Sequence, residues 1–273
     1  MKDLLTNPRG LMEHISKALQ EKSLQSGGFP EDVFHSPVTS SVLFLLGGHC
    51  NGSSEPCVVF NKRSFKVRQP GDLCFPGGRV SPRLDSLFSK VLKSPFSPLA
   101  RWRFWPLWQE HRRAQADRLS LLLATSLRES VEEMRLNPFG VTFLGPMPAE
   151  DLLLFRRVLY PMVVWINRQK RFLPNWEVEK IVHVPVRELL NPEAYACYRL
   201  RFKGRRIKGE EDYVQDFPCF CHGNETQREV LWGATFRIVM SFLKTIFGFS
   251  APSTDSLPVI YNTLNERYWN GSS

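Results

Sequence analysis

Six consecutive residues, Arg128-Glu129-Ser130-Val131-Glu132-Glu133, place three carboxylates and one guanidinium on a short stretch of chain. On a helix, residues three and four apart stack on one face, so Glu129 lies beside Glu132 and Glu133. Carboxylates crowded in this way repel one another unless a cation sits among them. Hard oxygen donors suit Mg²⁺ or Mn²⁺, which in turn grip phosphate oxygens. The chemistry these residues point to is metal-assisted cleavage at phosphorus. The competing reading is a solvated helix face of paired Glu, Arg and Lys.

The surrounding sequence gives this stretch a rigid support. Leu119, Leu122, Leu123, Leu127, Val131 and Met134 recur at helical spacing. They predict a helix with Asp117 as its N-cap that ends before Asn137-Pro138. Its apolar side docks on a core and its acidic side faces a cleft. Strands are expected over residues 41–46, 56–61, 141–144, 159–166 and 181–184, with a shorter one at 73–75. Pro76-Gly77-Gly78 is expected to break that short strand and to let backbone approach a ligand. An amphipathic helix is read over 10–21, a helical turn over 186–190, and a strongly apolar helix over 230–247. The tail beyond Phe249 reads as loosely ordered. Strands flanked by helices make this an α/β chain with helix-sheet-helix layering.

Composition narrows the partners. The chain has 273 residues, 42% hydrophobic, and a formal net charge of +9. That charge favours an anionic partner. The basic residues are dispersed, with no nucleic-acid motif among them, so a small anionic ligand is expected and a specific nucleic acid is not. The longest apolar runs are far too short to span a bilayer, and the N-terminus does not read as a secretory signal. The six cysteines, 50, 57, 74, 197, 219 and 221, are scattered and read as cytoplasmic thiols. Cys219-x-Cys221-His222 lacks a second ligand pair and reads as packing or loop residues, not as a zinc site.

Taken together, Gly77-Gly78 and Arg128-Glu129-Ser130-Val131-Glu132-Glu133 resemble the box of the Nudix hydrolases. Lys62-Arg63-Ser64, followed by Gly71-Asp72-Leu73-Cys74-Phe75-Pro76-Gly77-Gly78, resembles the extra signature of that family's coenzyme A diphosphatase branch. Tyr160-Pro161-Met162-Val163, Pro174-Asn175-Trp176-Glu177-Val178, Val184-Pro185-Val186-Arg187-Glu188-Leu189-Leu190 and Leu231-Trp232-Gly233-Ala234-Thr235 resemble later pieces of the branch in the same order. There are departures. About fifty residues separate Gly78 from Arg128, Arg135 follows Met134 where a glycine usually closes the box, and the first box acid has no exact counterpart. Asp85 is the favoured candidate for that acid, as an additional acidic contact, and Asp117 is its competitor.

The resemblance implies a Nudix-type α/β/α sandwich with a mixed central sheet. It also implies metal-dependent hydrolysis of the diphosphate linkage of coenzyme A or its derivatives, giving 4′-phosphopantetheine and adenosine 3′,5′-bisphosphate. Glu132 and Glu133 would ligate metal most directly, Glu129 would join them or activate water, and Arg128 would hold the carboxylates in place. Gly77 and Gly78 would bring backbone to the metal-phosphate cluster, and Arg63, with Lys62, would meet substrate phosphates. Glu177 is a candidate base outside the box, its alternative being a loop residue paired with Lys180. Homodimerisation is a further expectation of the family. Two other outcomes stay open: another substrate such as NADH, ADP-ribose or a capped RNA end, or a Nudix-like binding module without turnover.

The domain organisation follows from these matches. Residues 1–35 form an N-terminal helical extension, 36–249 the hydrolase domain and 250–273 a tail. Residues 86–117 are an insertion within the box. Its basic residues are interleaved with Trp102, Phe104, Trp105 and Trp108. The insertion is expected to pack its aromatics on the parent domain, with a lid as the functional alternative.

Overall fold

Two strand patterns set the architecture of the computed structural model, which describes residues 2–34, 36, 38–48, 55–152, 157–207, 210–224 and 227–270. Helices α1 (Lys2–Leu5) and α2 (Pro8–Gln25) open the chain. Strands β1 (Thr39–Gly47), β2 (Cys57–Arg63), β3 (Leu73–Cys74) and β4 (Gly77–Arg79) follow. Next come helices α3 (Pro82–Leu92), α4 (Trp105–His111) and α5 (Arg113–Met134). Strands β5 (Val141–Pro146), β6 (Glu150–Leu152), β7 (Arg157–Ile166) and β8 (Val178–Pro185) precede the short helix α6 (Val186–Leu189). A long hairpin of β9 (Tyr195–Ile207) and β10 (Glu210–His222) leads through β11 (Glu229–Leu231) to helix α7 (Gly233–Phe247). Strand β12 (Val259–Leu264) and helix α8 (Glu266–Asn270) complete the described chain.

The first sheet runs β3-β2-β1-β7-β5, with β4 on β1, β6 on β7 and β8 on β2. It is mixed: β1 and β7 are parallel and the other pairs antiparallel. Strand β1 is buried along its whole length, because successive side chains enter two different cores. Leu43 and Leu45 pack with α4 and α5, whereas Phe44 and Leu46 pack with α2 and α7. Helices therefore cover both faces, the α/β/α layering that the sequence predicts. Near its middle the sheet opens. β1 leaves β2 after Leu45↔Val59 and takes up β4 instead, while β2 pairs with β3 and β8. The short strand ends before Pro76 as expected, but the glycines then form a new strand of their own, in which backbone at Gly77 approaches Ser41 and Val42 too closely for a Cβ.

Three other expectations change. Helix α5 begins a turn before Asp117, which pairs with Lys93 instead of capping. The apolar helix near the C-terminus begins at Gly233, since residues 229–231 pair with β10. The tail beyond Phe249 is tied down: β12 runs parallel to β9 and Tyr268 of α8 is buried. With β11-β10-β9-β12 this makes a second sheet that sequence periodicity does not reveal.

The segment read as an insertion is structural. Trp102, Trp105 and Trp108 are buried in the core beneath α5. Trp102 Nε1 donates to Ser16 Oγ at 3.0 Å and Leu144 O at 3.2 Å, and Trp108 Nε1 to Gln20 Oε1 at 2.8 Å. The aromatics thus bind α2 to the main body and do not overhang a cleft. The N-terminal segment belongs to the same packing through α2 and Phe29, which lies against Trp108 and Tyr160. Trp108→Ala removes a fully buried side chain and orphans Gln20, so a loss of about 3–5 kcal/mol in urea unfolding is expected. A loss below about 1 kcal/mol would contradict this placement.

Candidate active site

Helix α5 is buried all round between Leu119 and Leu127, because α3 covers the flank its apolar stripe leaves open. Only its last turns emerge, and these carry the acids. Arg128 sits at their centre. Its Nε donates to Asp85 Oδ1 at 2.7 Å, Nη1 to Glu132 at 3.2 Å, and Nη2 to Glu129 at 3.0 Å and the Arg79 carbonyl at 3.3 Å. One guanidinium thereby ties α5 to α3 and β4 and spaces two carboxylates. Asp85 is fully buried. It also accepts from Thr125 Oγ1 at 2.8 Å and the Ser81 amide at 2.6 Å. Both oxygens are occupied, so the structure places Asp85 as the counter-ion of Arg128 and the acceptor for the N-cap amide of α3, not facing the open side of the site. Asp117 lies three helical turns away, roughly 16 Å along the axis.

Glu133 faces the glycine strand. Its Oε2 accepts from Asn61 Nδ2 at 2.6 Å and its Oε1 from the Gly77 amide at 3.3 Å. Glu129 lies against Gly78 so closely that any Cβ there would collide with its carboxylate. Two halves of the site, about fifty residues apart in sequence, are therefore brought into contact. Burial pushes the Glu133 carboxyl up to about 8, against the Gly77 and Asn61 hydrogen bonds, with Glu129 and Glu177 adding to the rise. Glu129 is also raised, first by burial, and the adjacent Arg128 opposes that rise. Glu132 is the most exposed of the three acids, at 54% of its side chain.

Glu177 is held near this cluster by the Ser64 amide, which donates to its carbonyl at 2.8 Å, and by Asn175, whose amide donates to the Glu133 carbonyl at 2.8 Å. It does not pair with Lys180, which binds Glu229 at 2.7 Å. Lys62 is likewise engaged, with Glu229 at 3.2 Å and Glu179 at 3.6 Å, so it does not stand beside Arg63. The two are successive residues at the end of β2, whose side chains project to opposite faces. Arg63 Nε donates to the Arg68 carbonyl at 2.7 Å. Burial works against its charge, but Cys74, Glu133 and Asp72 outweigh burial and hold the guanidinium above its ordinary value. The Cys74 thiol, pushed up to about 12 by burial, stays neutral.

Residues that sequence reasoning passes over complete the site. Asn61 is a fully buried amide at the end of an apolar strand, and that mismatch is the one signal that marks it. Asp72 accepts from Trp232 Nε1 at 3.0 Å and from the Tyr268 hydroxyl. Burial raises it to about 6. Beside it opens a largely apolar cavity of about 330 Å³, lined by Val42, Arg63, Phe75, Leu159, Phe217 and Trp232 among others.

Among the described residues no three His, Cys, Asp or Glu side chains already stand gathered around an ion position. The donors nevertheless fit a hard divalent cation in kind. Glu129 and Glu133 are carboxylates whose charge burial opposes, and the buried Asn61 Oδ1 has no hydrogen-bond partner. Glu129, Glu133 and, from the rim, Glu132 would hold such an ion.

Helix α5 ends without a glycine but not without the glycine conformation. Arg135 adopts the left-handed region at φ 56°, and its amide and that of Leu136 close the helix on Val131 and Ser130. Cys219 and Cys221 lie on β10 beside Trp232 and Tyr198 as packing residues; Cys50 lies outside the described residues.

No family model and no curated protein matches the chain. Solved structures similar to it include a MutT/nudix family protein from Enterococcus faecalis (9% identity, 89% of this chain and 75% of that one, TM-score 0.41). They also include a NUDIX hydrolase from Alicyclobacillus acidocaldarius (16%, 57% and 82%, TM-score 0.39). A third is the NUDIX domain of Shewanella oneidensis NrtR complexed with ADP ribose (14%, 63% and 86%, TM-score 0.35). At such distances the chemistry of the site rests on its own geometry.

Two predictions follow from that geometry. Because the folded-state pKa of Glu133 lies above its ordinary 4.5, the folded state holds the proton longer, and stability falls as pH rises from about 4.5 through 8. Without divalent cation, Glu133→Gln is expected to raise the melting temperature more at pH 9 than at pH 5. An equal or reversed difference by scanning calorimetry would contradict the placement. Arg135→Gly relieves the left-handed backbone, and a gain of about 0.5–1 kcal/mol is expected in urea unfolding. A loss of stability would show that the arginine side chain outweighs the strain.

Proposed function

We propose that this protein is a metal-dependent hydrolase of the diphosphate linkage in nucleoside diphosphate derivatives, with coenzyme A and its derivatives as the substrate class. One observation carries the reading: Glu129 and Glu133 of α5 meet Gly77 and Gly78 of β4 at contact distance, although about fifty residues of folded chain separate them. A solvated helix face has no reason to fit a glycine strand in this way.

Glu129, Glu133 and Glu132 would hold a divalent cation, which would neutralise the diphosphate charge and supply a water of lowered pKa. The chain's own residues do the rest. Arg128 and Asp85 fix the acids against repulsion. The Gly77–Gly78 backbone admits a phosphate without steric hindrance from a side chain. Glu133, raised to about 8 without the cation, would give up its proton as the cation binds and serve as its ligand. Glu177, whose charge adds to that rise, is the base candidate outside the helix. Arg63 stands between the acid cluster and the apolar cavity and orients a diphosphate that spans them. The cavity suits the pantetheine arm, which is long and largely apolar at its thiol end. The products are then 4′-phosphopantetheine and adenosine 3′,5′-bisphosphate. Arg128 belongs to the holding of the site and not to contact with substrate, and so does Asp85. Homodimerisation and a cytoplasmic location remain family-level parts of this proposal. Among the described residues no helix is long and apolar enough to cross a membrane.

The fact that Arg128 engages both Glu129 and Glu132 favours one second reading, a module that binds nucleotides without turnover. Incubation with Mg²⁺ or Mn²⁺ and coenzyme A, NADH, ADP-ribose and capped RNA separates the two. The proposal expects cleavage of coenzyme A that falls at least about a hundredfold in Glu133→Gln and Glu129→Gln. Cleavage of only the other compounds would move the substrate class. Binding without any turnover would establish the module.

A further inference from the structure

A group of arginines stands on the face of the sheet opposite α5, and the chemistry described so far does not use it. Strand register places it. Ser40 of β1 lies directly across from Arg79 of β4 and from Leu159 of β7. Residues paired across neighbouring strands project to the same face, and so do residues two apart on one strand. Arg79, Ser40, Leu159 and Arg157 therefore share a face. Gly78, which meets Glu129, takes the other. Leu159 also lines the apolar cavity, together with Arg63, so the sheet face that carries Arg79 and Arg157 continues into that cavity, although these two arginines do not line it.

The group is short of countercharge. Arg157 is held below the ordinary arginine value, first by burial and then by the positive charges of Arg79, Arg68 and Arg63. Among the described residues no carboxylate forms an ion pair with Arg68, Arg79 or Arg157, whereas Arg128, Arg187, Arg199 and Arg237 each have one. Guanidinium groups that repel one another without a neutralising acid are stabilised by an anion with several acceptor oxygens. A second observation marks the same place. Ser40 is 2% exposed, and its Oγ is buried without a hydrogen-bond partner, although its strand neighbours carry Arg79 and Leu159. A buried hydroxyl without a partner is uncommon unless something supplies one.

We propose that Arg79 and Arg157, with Arg68 at the edge, form a subsite for a phosphomonoester carried by the substrate in addition to its diphosphate. This rests on the proposed function for its setting, since Arg63 links the subsite to Glu133. It goes further in assigning residues that distinguish a substrate with a 3′-phosphate from its dephosphorylated form. A phosphomonoester is close to a dianion at neutral pH and offers three acceptor oxygens, which several guanidinium forks can share.

The test uses ligands that differ by one phosphate and needs no turnover. Calorimetry on the full chain, without divalent cation, compares adenosine 3′,5′-bisphosphate with adenosine 5′-monophosphate. The subsite predicts at least about tenfold tighter binding of the bisphosphate. That preference is expected to fall to near unity in Arg157→Gln combined with Arg79→Gln, with the melting temperature retained. Arg157→Lys, which keeps the charge but loses the fork, is expected to keep part of the preference. Equal affinity for the two ligands in the parent, absence of binding, or a preference that survives the double variant would overturn the assignment. A parallel assay of coenzyme A against 3′-dephospho coenzyme A with Mg²⁺ keeps the two claims apart. No hydrolysis of either compound, with the calorimetric preference intact, would sink the proposed function and leave the phosphate subsite standing.

Discussion

The buried ion pair between Arg128 and Asp85 is the constraint on which the rest depends. Asp85 has no exposure and lies at the start of α3; Arg128 lies on the last turns of α5. Loss of either partner would strand the other charge in the interior, at a cost of about 3–5 kcal/mol. The same guanidinium reaches the carbonyl of Arg79, so α3, α5 and the glycine strand share one fixed point. It also reaches Glu129 and Glu132, which separates carboxylates that would otherwise repel. In the proposed function this charge holds the site and does not touch substrate. This also explains how two parts of the site divided by about fifty residues keep their geometry, because the dividing segment supplies Asp85 at its entrance and then packs its tryptophans into the core.

A trade between stability and function runs through the site. Glu133, Glu129 and Asp72 are all pushed above their ordinary values by burial, so each opposes folding at neutral pH. The Asn61 amide leaves one oxygen unsatisfied in the interior. Acids raised in this way gather at functional sites, and this supports the proposed cation site. The large cores on either side of the sheet tolerate this cost.

Much of this was legible in the sequence, and the parts that were not share a physical cause. The stripe from Leu119 to Met134 located α5, although Val131 is only partly buried and the helix is covered on more than one side. Apolar runs located β1, β2, β5, β7 and β8 because both faces of the first sheet are buried. The second sheet was not legible. Its long strands carry Arg199, Arg201, Asp216 and other charged residues on an open face, which breaks the alternation that marks a strand. Within the site, the acids and glycines were readable because they lie in fixed local spacing. Asp72 was readable only as part of a motif, since Trp232 and Tyr268 approach it from 160 and 196 residues away. The role of Asp85 likewise depends on Arg128, 43 residues further on, and the chain alone suggests an acidic contact instead.

The central claim is that Glu129 and Glu133 form a cation site held ready by Arg128 and Asp85. Isothermal titration of Mn²⁺ at pH 7 in buffers of different ionisation enthalpy tests it most directly, because metal ligands must give up their protons to bind. With Glu133 raised to about 8, the account predicts binding with release of about one proton per ion. Loss of that release is expected in Glu133→Gln. Absence of Mn²⁺ binding, or binding with no proton release and no dependence on Glu133, would contradict it.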